Sequence, residues 1–236
     1  MTNIIRLNES NNTYASKPVI TALGEPDIAI RPSIYVAGLG ANATVTARQL
    51  LIDGNFGQNN PAPFLGVGTG SLTVKSDTNG TYLAMNQVGI RTGIVIDTKQ
   101  DKGTLVIIKV RVKDILADNT RLLSIGQASI GLSSLSILTA LTPTKKLTVS
   151  SVPMDMDANI HTFAIYTRLG QTVIFIDGNK TIASGSSTPT NEKTGVGINT
   201  RSFADTTPNN IDLYNFELYV DTVLTDQQIL DYLKTL

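Results

Sequence analysis

The chain has 236 residues, 41% of them hydrophobic, with Lys plus Arg equal to Asp plus Glu at 19 each and no cysteine. That length suits one large all-β domain or two small ones, and that apolar fraction excludes a disordered chain. Balanced charge without a dense basic run argues against nucleic-acid binding, which needs a concentrated positive face, and the missing thiols exclude disulfides and thiolate metal sites.

Residues 1–30 read as an extended N-terminal arm. Asn8 to Thr13 is a polar run, and Pro18, Pro26 and Pro32 oppose both a helix and a central strand. Met1 to Ser10 lacks the basic segment and apolar core of a secretory signal. The expectation is a protein kept inside a cell (cytoplasmic), exported without a classical signal, or carried in a virion. The longest apolar runs, such as Leu105 to Ile108 and Val173 to Ile176, fall far short of the roughly 20 residues that cross a bilayer, so no membrane insertion is expected.

Residues 31–236 read as a single sandwich domain. Threonine is abundant and glutamate is confined to Glu9, Glu25, Glu192 and Glu217, a bias toward sheet. Short β-type runs cover Ser33 to Gly38 and Ala43 to Ile52. Residues 55–70, with Asn59, Asn60, Pro61, Pro63, Gly66, Gly68 and Gly70, read as an irregular loop. Asp77-Thr78-Asn79-Gly80 marks a hairpin between Ser71–Val74 and Tyr82–Met85. Further strands are expected at 93–97, 104–112, 121–125, 135–139, 146–150, 161–167, 171–176, 181–183, 195–198 and 211–220. With no helical crossover between them, about a dozen such strands predict an antiparallel sandwich. Phe163, Ile165, Val173 and Phe175 are expected to share one apolar face, and Leu213, Phe216, Leu218 and Val220 alternate less cleanly, as a bulge would cause.

One helix closes the chain. Thr225 and Gln228 form a Thr-x-x-Gln capping box, and Leu224 with Ile229 makes a hydrophobic staple. Ile229, Leu230, Leu233 and Leu236 form a stripe that predicts a lid on the sheet edge.

Three blocks then resemble a known family. Thr104 to Lys113 with Arg121 to Gly126 resembles an early strand and its partner in laminin G-like domains of the concanavalin A-like lectin and glucanase superfamily. Ile160-His-Thr-Phe-Ala-Ile-Tyr166 with Gln171 to Lys180 resembles the "Trp-His-x-Val-Ala" strand and its "Val-Asp-Gly-Lys" partner, with Ile160 in place of tryptophan. Ile211 to Tyr219 followed by Leu224 to Ile229 resembles the closing strand and helix. The resemblance covers 104–236 and implies a concanavalin A-like jelly-roll. Residues 31–100 match nothing comparable.

The candidate chemistry is sparse. Glycan hydrolysis needs two carboxylates about 5 to 9 Å apart, and no two glutamates lie close in sequence. A catalytic role is therefore not expected. His161, the only histidine, reads as a structural residue at a strand start. Gly66-x-Gly68-x-Gly70 has neither the lysine nor the helix of a phosphate loop and reads as a flexible loop. Calcium needs 6 to 8 oxygen ligands, for which Asp155, Asp157 and Asn159 are the best local set; no other cofactor is expected.

The expected function is a non-enzymatic structural or adhesion protein, a virion-associated decoration, fibre or tail component of the sort phage particles carry. Its arm would dock on other subunits of an assembly, a homo-oligomer included. The alternative is a stand-alone carbohydrate-binding module with a cell-surface glycan as partner. Its ligand residues would come from three loops: Asn55, Asn59 and Asn60; Asp77 and Asn79; and Arg201, Asp205 and Asn209.

Overall fold

A computed structural model describes residues 21–24, 26–32, 44–45, 62–93, 96–97, 102–116, 120–125, 128–134, 137–141, 150–153, 159–168, 171–183, 193–200 and 207–236. The strands, in chain order, begin with β1 (Ile28–Ile30), β2 (Thr44–Val45), β3 (Ala62–Val67), β4 (Ser71–Asp77), β5 (Gly80–Asn86) and β6 (Gly89–Gly93). Next come β7 (Ile96–Asp97), β8 (Gly103–Asp114), β9 (Thr120–Ile125), β10 (Ala128–Ser134), β11 (Ile137–Leu141) and β12 (Ser150–Pro153). The last are β13 (His161–Arg168), β14 (Gln171–Ile176), β15 (Asn179–Ala183), β16 (Lys193–Thr194), β17 (Val196–Ile198) and β18 (Asn210–Thr222), followed by helix α1 (Asp226–Leu233).

Two antiparallel sheets face each other, as the sequence predicts. One runs β15-β14-β13-β8-β18-β5-β4-β2, with β1 also on β18; the other runs β12-β11-β10-β9-β17-β6-β3. Leu83, Met85, Val106, Ile108, Val110, Phe163, Ile165, Ile174, Leu213, Phe216 and Leu218 of the first sheet meet Ile90, Leu123, Ile125, Ile130, Val196 and Ile198 of the second in one core. Burying such side chains stabilises by about 1.5–3 kcal/mol each relative to exposure, which explains how the chain dispenses with disulfides.

β18 organises the first sheet. Along one edge it pairs with β8 throughout; along the other, Asn210 to Leu213 pair with β5 and Phe216 to Leu218 pair with β1. The end of the segment read as an arm is therefore a strand of the chain's own sheet, with Ile28, Ala29 and Ile30 buried. Residues 1–20 lie outside the described residues.

Several expectations need correction. Residues 62–67 are strand β3 rather than loop, and Pro63 is tolerated because β3 is the outermost strand of its sheet. The glycines that follow serve close backbone approach: a Cβ on Gly70 would sit 1.6 Å from the Asn86 carbonyl oxygen, and one on Gly68 2.3 Å from that of Gln87. Strand β10 falls where no strand was expected, since Ala128, Ser129, Gly131, Ser133 and Ser134 have little intrinsic preference for sheet.

The face assignment also changes. Phe163 pairs with Ile176 and Ile165 with Ile174, so these four point into the sandwich, whereas Val173 and Phe175 point out of it. Both faces of β14 are apolar because α1 covers the outer one. The helix packs on the open face of the sheet, against Leu105, Ile107, Ala164, Tyr166, Val173, Phe175 and Tyr219, and is not an edge lid.

The local devices read from sequence are present. Thr225 Oγ1 accepts from Gln228 N–H at 3.2 Å and Gln228 Oε1 accepts from Thr225 N–H at 2.9 Å. Asp177 and Gly178 turn the β14–β15 hairpin at φ 49° and 71°. The register of β18 against β8 shifts between Leu213 and Asn215, placing the expected bulge at Tyr214.

Candidate functional site

Beyond the ground that α1 covers, the outer face of the first sheet changes character along β8. Leu105 to Ile108 are apolar on both faces, but from Lys109 onward polar Lys109, Arg111 and Lys113 alternate with apolar Val110 and Val112. Arg111 thus reaches the outer face, directly opposite Asp212 of β18. Two residues on from Asp212, Tyr214 reaches the same face, where it meets Tyr82 of β5, and the β4–β5 hairpin brings Asp77 over them.

These five side chains form one network. Arg111 donates from Nε and Nη2 to Asp212 Oδ2, at 3.1 and 2.7 Å, and from Nη2 to Asp77 Oδ2 at 2.9 Å. The Tyr214 hydroxyl donates to Asp77 Oδ2 at 2.8 Å, while Asp77 Oδ1 accepts the Asn79 N–H at 2.7 Å. The guanidinium lies over both rings, its carbon 5.5 Å from the Tyr82 centroid and 5.7 Å from that of Tyr214, within cation–π range. The rings are 5.2 Å apart. Ile160, just before β13, packs against them.

Charge follows from these contacts. Burial pushes the Asp77 carboxyl up, but Tyr214, the Asn79 N–H and Arg111 together outweigh it and hold the group below the usual carboxylate range. Burial works against the charge on Arg111 as well, and hydrogen bonds to Asp212 and Asp77 overcome it, raising the guanidinium further. Tyr214 is raised by burial and by its bond to Asp77, so its hydroxyl stays a donor at neutral pH. The side chains of Arg111 and Asp77 are 20% and 24% exposed, whereas Asp212 is fully buried and its Oδ1 has no hydrogen-bond partner. Arg111 and Asp77 are thus reachable from solvent above an aromatic floor, with the geometry to exchange hydrogen bonds with a polyhydroxyl ligand.

Of the residues expected from sequence, Asp77 lies in this network and Asn79 is exposed at the hairpin tip beside it. Asn209 is fully buried: its carbonyl and its N–H meet the Asn199 amide at 2.9 and 3.1 Å, and its Oδ1 accepts the Leu116 N–H at 3.2 Å. Asn159 is exposed and adjoins Ile160, at the border of the patch. Asn55, Asn59, Asn60, Arg201, Asp205, Asp155 and Asp157 lie outside the described residues. Among the described residues no group of three His, Cys, Asp or Glu could hold a metal ion.

Sequence reading missed Tyr82, Arg111, Asp212 and Tyr214. The signal was available: a strand that switches from unbroken apolar to alternating cationic marks where the sheet's outer face leaves the helix, and an Asp stands two residues before a Tyr on the closing strand.

Two other polar clusters hold the architecture. Glu217, wholly buried, accepts from Arg31, from Asn215 Nδ2 at 3.0 Å, from Tyr219 at 2.9 Å, and from Tyr232 at 2.9 and 2.7 Å. It joins the N-terminal segment, β18 and α1; burial and Glu217 push the Tyr232 hydroxyl up to about 12. His161 meets Asp177 Oδ2 at 2.7 Å, and Asp177 Oδ1 accepts the Thr162 N–H at 2.8 Å, tying the β14–β15 turn to β13.

No protein-family model matches the sequence, and no curated protein matches it. Among solved structures, the chain is similar to the binding domain of Paraclostridial Mosquitocidal Protein 1, at 13% identity and TM-score 0.53, over 75% of this chain and 48% of that one. It is also similar to Trypanosoma rangeli sialidase in complex with 2,3-difluorosialic acid, at 13% identity and TM-score 0.51, over 73% of this chain and 32% of the other. The chain spans about half the length of the first and about a third of the second. At such identity the likeness concerns the fold, and the chain is an antiparallel β-sandwich of the kind both contain.

Proposed function

We propose that this chain is a carbohydrate-binding, laminin G-like β-sandwich whose ligand site is the Arg111 patch on the outer face of the larger sheet. The observation that carries the reading is the Asp77–Arg111–Asp212 network laid over Tyr82 and Tyr214. Carboxylates and a guanidinium fixed by each other offer sugar hydroxyls both acceptors and a planar donor, with little rotamer freedom left to lose on binding. The three blocks that resemble laminin G-like domains form the adjoining elements β8, β13, β14, β15, β18 and α1, together with β9 across the sandwich, which supports that placement. A fold shared with the binding domain of a mosquitocidal protein and with a sialidase in complex with 2,3-difluorosialic acid also favours it.

Binding fits the patch better than hydrolysis does. Asp77 and Asp212 accept from the same Nη2 and so stand close together. A glycosidase pair needs one carboxyl that stays protonated as the acid. Asp77 is instead held low, and both carboxylates are tied to a cation.

The assembly reading rests on the Pro- and Asn-rich N-terminal segment, the lack of cysteine and the sparse catalytic chemistry of the sequence.

A glycan-array screen of the full chain tests the proposal, followed by titration of the strongest hit against Arg111→Ala. The expected result is capture by the natural chain and a loss of about tenfold or more in the variant, about 1.4 kcal/mol, with the cooperative unfolding transition retained. Equal binding by the folded variant contradicts it.

A further inference from the structure

The two carboxylates of the patch differ in how fully they are satisfied. Asp77 uses both oxygens, Oδ1 on the Asn79 N–H and Oδ2 on Tyr214 and Arg111. Asp212 uses only Oδ2, on Arg111 Nε and Nη2. Its Oδ1 is buried and has no hydrogen-bond partner, in a side chain with no exposed area. Buried charged acceptors seldom go unmet in folded proteins, and one that does calls for a reason. Lys113 stands nearest, its Nζ 3.9 Å from Oδ1, beyond hydrogen-bond reach, on a side chain 45% exposed. It shields the oxygen without satisfying it, and its exposed stem leaves it free to swing away. Arg111 is already divided between both carboxylates.

We infer that the site, given the glycan-binding reading on which this rests, selects neutral, hydroxyl-rich sugars over acidic ones, with Asp212 Oδ1 receiving a sugar hydroxyl when Lys113 moves aside. A hydroxyl brings the missing donor without adding charge. A sialic or uronic acid would instead bring a third carboxylate beside Asp77 and Asp212, and like charges at such range repel strongly where water is scarce. The attraction of Arg111 for a further anion is offset by the two carboxylates it already holds. Asp212 is thus the specificity-determining residue, and Lys113 regulates access to it.

The test uses the full chain, a panel of neutral oligosaccharides, and the same oligosaccharides capped with sialic acid, with affinities read by calorimetry. The neutral member of each pair should bind about tenfold or more tightly. Asp212→Asn should shrink that ratio, since the amide no longer repels an anion. Lys113→Ala, which changes an exposed side chain and needs no refolding of the core, should widen it by removing a cation and uncovering Oδ1. Tighter binding of the sialylated members, or a ratio unmoved in both variants, overturns the inference and leaves the glycan reading standing. Binding of neither class overturns the glycan reading itself, and the selectivity with it.

Discussion

Replacing Glu217 by Gln probes how the N-terminal segment and α1 are held. The carboxylate is wholly buried and receives four donor groups, from Arg31, Asn215, Tyr219 and Tyr232. The substituted amide would keep one acceptor oxygen and add an N–H pair. Arg31 and Asn215 Nδ2, which can only donate, would claim the oxygen, so the amide nitrogen would face the two tyrosine hydroxyls. Those hydroxyls would have to accept from the amide and donate elsewhere, Tyr219 toward Thr21, whose Oγ1 is 2.8 Å away, and Tyr232 toward the neighbouring Tyr219 oxygen. Hydrogen bonds to a charged group contribute about 1.5–3 kcal/mol and neutral ones about 1, so four of them losing their charge assistance costs about 3–4 kcal/mol. Arg31 is 25% exposed and partly screened, which keeps the figure at the lower end of the 3–5 kcal/mol typical of a broken buried pair. For a chain of this size that corresponds to a fall in Tm of about 6–16 °C, measured by scanning calorimetry at pH 7. An apolar replacement of the whole cluster, Glu217→Leu with Arg31→Met, Asn215→Leu, Tyr219→Phe and Tyr232→Phe, should recover most of the loss, because it removes the desolvated charge together with its partners. A loss below about 1 kcal/mol in Glu217→Gln would mean instead that the buried charge contributes no more than a surface pair.

Other expectations are simpler. Asp177 is held below the ordinary carboxylate value: burial raises it, and His161 and the Thr162 N–H more than offset that. Its stabilising contribution is therefore complete above pH about 4 and is lost as pH falls through the lowered folded value; urea titrations of Asp177→Asn should be less stable than the natural chain at pH 6 and converge with it in acid. Tyr214→Phe deletes one bond to Asp77 and should cost about 1 kcal/mol in denaturant unfolding, while the Asp77 carboxyl, followed by NMR titration, moves back up toward its usual range. Thr225→Ala removes the side-chain half of the capping box and should cost about 1 kcal/mol, whereas Thr225→Ser should retain nearly all of it. Gly70→Ala forces a Cβ into the Asn86 carbonyl and should lower stability by about 3 kcal/mol, a far larger loss than Gly80→Ala, whose Cβ meets open space and whose cost is only its positive φ.

What was legible in the sequence was what local chemistry alone determines. Thr225 with Gln228, and Asp177 with Gly178, specify a helix start and a tight turn through neighbours a few residues away, and both stand in the structure as read. The unbroken run Leu105 to Ile108 could be recognised as a buried strand, but not why it is apolar on both faces. That reason is α1, which arrives more than a hundred residues later. The same nonlocal cover misled the pairing of Phe163 with Val173, since alternation assigns faces only when one of them is wet. β3 and β10 escaped because proline and small residues carry weak local preference, and their strand character comes from the partner they lie beside. The site was half visible: Asp77 announced itself through its hairpin, whereas Arg111 and Asp212 become neighbours only through the register of β8 against β18, and Tyr82 meets Tyr214 only through the pairing of β5 with β18. Asn209 illustrates the converse, a loop-end polar residue whose amide belongs to the interior.

The most direct test of the glycan-site account is an NMR titration of the chain, its tyrosine rings labelled, with a neutral oligosaccharide captured on the array. Seven tyrosines and no tryptophan make the spectrum assignable by substitution. Binding at Arg111 should give saturable shifts in the Tyr82 and Tyr214 rings, while Tyr166 and Tyr232, packed between α1 and the sheet, stay in place. Saturable binding that moves other tyrosines and leaves Tyr82 and Tyr214 unmoved would contradict it.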